Sequence, residues 1–268
     1  MYIKKHYLVM EFAFIAAFCL LPPLFKGPEQ YAFPGILSYL CSFCISIFLY
    51  FQLNLYKKTK KTEQYKKKIR FSAKDYSGIL KFTLNSSYFF LTFGTLIVTA
   101  VCINIFTVCL SDKPFSADLM PGANAAAMIP AFFVSAFYEE VMYRMVLPGF
   151  LYCFFMKDLF EPHSKSEIKP VTDEISGRLY GCFRENPRSA CRSKRDIIRF
   201  YVTELISVLV FAFSHRYAGW ASVLNSFIAG IALRKCYLKS KNIFTGFAAH
   251  FLYNVFMLCL LSIAHGRS

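Results

Sequence analysis

Residues 88–110 read YFFLTFGTLIVTAVCINIFTVCL, a run without a single charged side chain. A helix rises about 1.5 Å per residue, so a run of this length covers the ~30 Å of hydrocarbon in a bilayer. Working outward, comparable apolar stretches cover about 7–25, 31–56, 124–156, 198–215, 220–237 and 243–264. The stretch 124–156 is long enough to tilt, to kink at Pro130 or Pro148, or to break into two pieces. The chain is 56% hydrophobic and 18% aromatic, too apolar and too poor in charge for a water-soluble domain. These patterns predict an all-α fold, a polytopic transmembrane helix bundle of about seven spans, seven or eight depending on how 124–156 is divided.

The net charge of +15 could suggest nucleic acid, but its distribution argues against that partner. Of 31 basic residues, 25 fall before the first span or in the segments 57–74, 157–199 and 234–241. With seven spans these segments lie on one face of the membrane, leaving Lys26, Lys113, Arg216 and Arg267 on the other. The positive-inside rule then places the N-terminus in the cytoplasm, the C-terminus outside, and the protein in the membrane as a multi-pass chain. Lys4 and Lys5 precede an apolar run, but Pro22 and Pro23 stand where a small-residue cleavage site would be, so the first span reads as uncleaved. The segment at about 157–198 mixes both charge signs with scattered proline and glycine and reads as a polar cytoplasmic insertion. The cluster at 57–74 suits contact with anionic lipid headgroups. Cysteines 41 and 44 form a C-x-x-C inside an apolar span, which reads as packing.

Ionisable groups within a span cost a few kcal/mol each and are kept where they are paired or used. Residues 135–144 read SAFYEEVMYR. Glu140 and Arg144 lie four apart on one helical face, whereas Glu139 is turned by about 100° and can face a neighbouring helix. The fifth span ends in Phe211-Ala212-Phe213-Ser214-His215 and the seventh carries His250 and Asn254, again four apart. Each has a plain structural counterpart: a buried Glu140–Arg144 clamp, or His215 as an interfacial residue. Glu11 and Glu204, near span starts, read as interfacial. Together, a carboxylate, two imidazoles and an amide on three spans provide an acid and base with oxyanion donors, which hydrolysis of a peptide bond requires. No G-x-S-x-G or S-x-x-K lies in a span to suggest a serine enzyme, and the H-E-x-x-H of a zincin is absent. A proton-coupled transporter could use the same groups as a relay, and an inactive membrane scaffold could merely retain them.

The ordered motifs Glu139-Glu140-x-x-x-Arg144, Phe211-x-x-x-His215 and His250-x-x-x-Asn254 resemble the CPBP or Abi family, the type II CAAX prenyl endopeptidases and bacteriocin-processing proteases. The resemblance covers about 124–263, dividing the chain into N-terminal spans (1–123) and a catalytic region (124–268). It implies an intramembrane endopeptidase in which Glu139 and His215 activate water. His250 and Asn254 would stabilise the oxyanion, with Glu140, Arg144 and Phe211 in support. It implies a peptide or protein substrate that is prenylated or membrane-anchored, or a leader peptide, met within the bilayer. The 76-residue separation of Glu139 and His215 exceeds the family's usual spacing by the polar insertion. No cofactor is expected, because Asn254 suits an oxyanion better than a metal, although Glu139, His215 and His250 could ligate zinc as in a metalloendopeptidase. One difficulty remains: straight helices would put Glu139 and His250 at different depths. A tilt, a break near Pro148, or a seventh span beginning before Lys241 would bring them level.

Overall fold

The structure is a computed structural model and describes residues 14, 24, 40–51, 84–111, 125–155 and 194–265. The first expected span, apart from positions 14 and 24, and the basic segments 57–74 and 157–193 lie outside the described residues. The described residues are almost all helical, with short turns at 214–219 and 241–242 and no strand among them. They form α1 (Leu40–Phe51), α2 (Ser86–Ser111), α3 (Ala125–Glu140), α4 (Leu147–Phe155), α5 (Lys194–Phe213), α6 (Trp220–Ser240) and α7 (Ile243–His265). Five of the expected spans are followed to within about a turn, with α3 and α4 together covering 124–156. Two, over Ser86–Leu110 and Ile243–Leu260, are long and apolar enough to cross a membrane.

The expected fourth span stays helical across both of its prolines. Between α3 and α4, Val141–Val146 widens into π winding, with the Leu147 N–H bonded to the Met142 carbonyl five residues back. Pro148 supplies a cause, since it has no N–H for the Arg144 carbonyl and its ring crowds that carbonyl. The helix therefore neither breaks nor ends there. Nor does α7 begin before Lys241, so two of the three remedies for the depth mismatch do not apply.

Short polar signals set the helix ends. Asn85 Oδ1 accepts from the Tyr88 N–H (3.4 Å) and Asn242 Oδ1 from the Phe244 N–H (3.0 Å), capping α2 and α7. Gly219, at φ 86°, makes the corner into α6, and Lys241, at φ 56°, closes it with its N–H on the Tyr237 carbonyl. Along the apolar helices the hydroxyls of Thr95, Thr107, Thr203, Ser207 and Ser262 donate to carbonyls four residues back. No such hydroxyl depends on solvent.

Helix α6 packs against α2, α5 and α7, while α3 lies on α7 and α4 on α5. An aromatic cluster formed by Phe43 and Tyr50 of α1, Phe133 and Phe137 of α3, and Phe244 and Phe247 of α7 joins three helices. The outer face of α2 exposes Phe90, Leu91, Val98, Ile105, Phe106 and Leu110, a continuous apolar surface suited to lipid. Two expectations are corrected. Arg234, counted as a loop charge, is buried inside α6, and Glu204, read as interfacial, is its ion-pair partner (Arg234 Nε to Glu204 Oε2, 2.7 Å). Hydropathy registers two charges here, but the cost of burying them is offset by their two-point contact and by the hydrogen bonds each makes to its neighbours.

Candidate active site

Glu139 and Glu140 end α3 where the π winding starts, and the turn of about 100° between them sends their side chains to different neighbours. Glu140 is fully buried beside Arg144, with Arg144 Nη2 at 3.5 Å from Glu140 Oε1. The Arg144 guanidinium lies 4.1 Å from the centre of the Phe211 ring, which adds a cation–π contact to the ion pair. Phe211, also buried, turns its ring edge-on to His215, with ring centres 4.8 Å apart, and lies 6.3 Å from His250. One aromatic side chain thus touches the arginine and both imidazoles.

The glutamate, two histidines and the supporting pair expected from the sequence converge. Glu139 Oε2 lies 3.7 Å from His215 Nε2 and 3.7 Å from His250 Nε2. Its other oxygen accepts a hydrogen bond from Ser135 Oγ at 2.7 Å. His215 Nδ1 is 2.9 Å from the Phe211 carbonyl, which can only accept, so the ring proton resides on Nδ1. Ser214 Oγ, itself bonded to the same carbonyl, flanks that nitrogen at 3.2 Å. His250 Nδ1 donates to Glu140 Oε1 at 3.1 Å by the same reasoning. Both Nε2 lone pairs then face Glu139 Oε2, which is buried and has no hydrogen-bond partner. Three acceptors meet without a donor among them. The arrangement is completed by a proton on one of them or by a donor molecule between them, which is how a base holds the water it activates.

Asn254 follows His250 by one turn on α7 and is partly buried, and the contacts linking the other residues do not extend to it. Its neighbour Tyr253 instead accepts from Asn225 Nδ2 of α6 at 3.1 Å. As metal donors, the available atoms are Glu139 Oε2 and the two Nε2. The 3.7 Å spacings about Oε2 are wider than the roughly 3.4 Å edge of a tetrahedral zinc site. Among the described residues no set of three ligating side chains closes to metal-binding geometry.

Three contributors escaped sequence reading. Ser135, four residues before Glu139, was visible as an i, i+4 neighbour. Gly246 was not: an added Cβ there would lie 2.9 Å from Glu140 Oε2, so the bare backbone of α7 is what lets that carboxylate in. Arg234 was hidden by 90 residues of separation from the Arg144 carbonyl to which its Nη1 donates.

Compared with known families, residues 121–256 match the family model described as type II CAAX prenyl endopeptidase Rce1-like, a stretch spanning just over half the chain and all three motifs. Neither the curated proteins nor the solved structures contain a match.

Proposed function

Because the chain belongs to the Rce1-like family of type II CAAX prenyl endopeptidases, membrane-embedded proteases, we propose that it hydrolyses a peptide bond within the bilayer by glutamate- and histidine-activated water. The observation that carries this reading is the meeting of His215 Nε2 and His250 Nε2 at one buried oxygen of Glu139. Water placed among these atoms would give a proton to Glu139, with His215 orienting it, as its oxygen attacks the substrate carbonyl. The carbonyl oxygen takes up the negative charge, the C–N bond then breaks, and the amine leaves with the proton. His250, entering the reaction as an imidazolium whose Nε2 proton comes from solvent water, and the Asn254 amide are the donors for that oxyanion, where low dielectric strengthens each bond. Glu140 accepts from His250 Nδ1 and is placed to steady the imidazolium. Arg144 and Phe211 hold Glu140 and the ring in turn.

The substrate class we propose is a C-terminal peptide carried on a prenylated or otherwise membrane-anchored protein, with a leader peptide as the second member of the same class. The reaction in this reading runs without metal, which the open spacing of the donors supports. The remaining topology follows the charge distribution: about seven spans, basic loops and N-terminus in the cytoplasm. The direct test is Glu139→Gln in purified protein given a farnesylated CAAX peptide or a leader peptide. Cleavage should vanish while extraction and thermal unfolding match wild type. Wild-type rates in the variant would refute the role of Glu139, and failure of the wild-type protein to cut either peptide would favour a transporter or an inactive scaffold.

A further inference from the structure

At the main-chain carbonyl of Arg144, a second charged cluster joins three helices. Arg234 of α6 grips Glu204 of α5 with two parallel hydrogen bonds, Nε to Oε2 and Nη2 to Oε1, each 2.7 Å. Nη2 also donates to Tyr152 Oη of α4 at 3.3 Å, and that phenol in turn bonds Glu204 Oε1. The remaining arm, Nη1, donates to the main-chain carbonyl of Arg144. This carbonyl is the one that Pro148 leaves without its usual helical donor. Tyr152 and Arg234 are buried, and none of the three side chains contacts Glu139, His215 or His250.

We infer that Arg234, held in place by Glu204 and Tyr152, is a positioning residue. By supplying the donor that Pro148 lacks, it fixes the π winding of Val141–Val146 and so the approach of Arg144 and Glu140 to His250. The geometry needs a guanidinium. Its planar fork satisfies a carboxylate with one edge and a carbonyl with the far nitrogen, whereas one ammonium cannot span both at these angles. Charge alone would therefore not substitute.

The two imidazoles provide a readout that a mere brace would not move. His250 Nδ1–H is bonded to Glu140, the direct partner of Arg144, whereas His215 Nδ1–H is bonded to the Phe211 main-chain carbonyl and meets Arg144 only through the Phe211 ring. In protein labelled with nitrogen-15 histidine and reconstituted in lipid nanodiscs, the two Nδ1–H resonances are assigned by their loss in His250→Gln and His215→Gln. Arg234→Lys should shift or broaden the His250 resonance and move that of His215 far less. Tyr152→Phe should produce a smaller change in the same resonance, and it carries the test if the lysine variant does not fold. On a farnesylated CAAX reporter, Arg234→Lys should lower kcat tenfold or more with KM within twofold. An unmoved His250 resonance together with wild-type kcat overturns the inference, as does loss of both resonances at once, which would mark a general brace. The kinetic arm rests on the proposed proteolysis and the resonance arm does not. A wild-type protein that cuts no peptide, yet whose His250 signal responds to Arg234→Lys, would sink the proteolytic reading and leave the positioning role standing.

Discussion

Replacing Gly246 with alanine puts a methyl group where the site has no room for one. Its Cβ would lie 2.9 Å from Glu140 Oε2, and ordinary contact starts at 3.4 Å, so the carboxylate must retreat by about 0.5 Å. A carboxylate at the end of a free side chain would do this at little cost. Glu140 is not free, because it is fully buried and its other oxygen is held by His250 Nδ1 at 3.1 Å with Arg144 at 3.5 Å. Overpacking of this kind costs ~1–3 kcal/mol. Alanine recovers up to ~1 kcal/mol of that through its better helix propensity. With that recovery in full the balance is a loss of up to ~2 kcal/mol, or up to about 8 °C in Tm for a chain of this size. Activity should fall further than stability, about tenfold or more, because a displacement of this order in a catalytic contact is costly. Two other helical glycines calibrate the experiment. Gly94 has nothing within 4 Å of an added Cβ, so Gly94→Ala should be neutral or stabilising by up to ~1 kcal/mol. Gly230 would meet Phe211 at 3.1 Å and Val208 at 3.2 Å, and Gly230→Ala should fall between the two. Thermal loss of helical circular dichroism in detergent and the rate on a peptide substrate measure both effects. Gly246→Ala with the Tm and rate of Gly94→Ala would refute the claim that α7 is bare at this point to admit Glu140.

Glu140→Gln should lower both thermal stability and activity, because it leaves Arg144 without its carboxylate in a buried setting, a change of ~3–5 kcal/mol; an unchanged Tm would refute its supporting role. Cysteine-accessibility labelling should find 57–74 and 165–194 on the cytoplasmic side and Lys113 on the other, and basic segments on opposite sides would rule out seven spans. Dialysis against a strong chelator should leave proteolysis intact with metal below stoichiometric amounts. Activity lost on chelation and restored by zinc alone would make Glu139, His215 and His250 ligands.

The helices were legible because apolar length is a local property, and 88–110 and 243–264 needed no partner to be recognised. Glu140 with Arg144 was legible for a related reason, since four residues on a helix fix a shared face whatever surrounds it. The meeting of Glu139 with His215 and His250 came from motif order rather than from physics, as nothing in the residues themselves dictates which helix faces which. Glu204 and Arg234 show where local reading stops. Glu204 stands at the middle of α5 and Arg234 six residues before the end of α6 beside Lys235, and hydropathy scores each as if alone. Only their 2.7 Å contact reveals that they belong inside. Pro148 was noticed as a place to kink or break, but the donor that relieves it comes from α6, and without Arg234 the outcome could not be chosen.

The π segment has a consequence for chain length. Its wider winding takes up one residue more than regular winding would over the same rise, and each residue added or removed in a helix turns everything beyond it by about 100°. Phe133, Phe137 and Glu139 ahead of the segment and Tyr152 behind it are therefore in step with their partners only because the count between them is what it is. Deleting one residue from Val141–Val146 would restore an ordinary helix and put one half out of phase with the other. If the forward half kept Glu139 between the imidazoles, Tyr152 would rotate away from Glu204 and Arg234; if Tyr152 stayed, the carboxylate would swing off His215 and His250. A chain could carry every motif residue and still be unable to assemble the site, through the loss of one valine or methionine with no chemistry of its own.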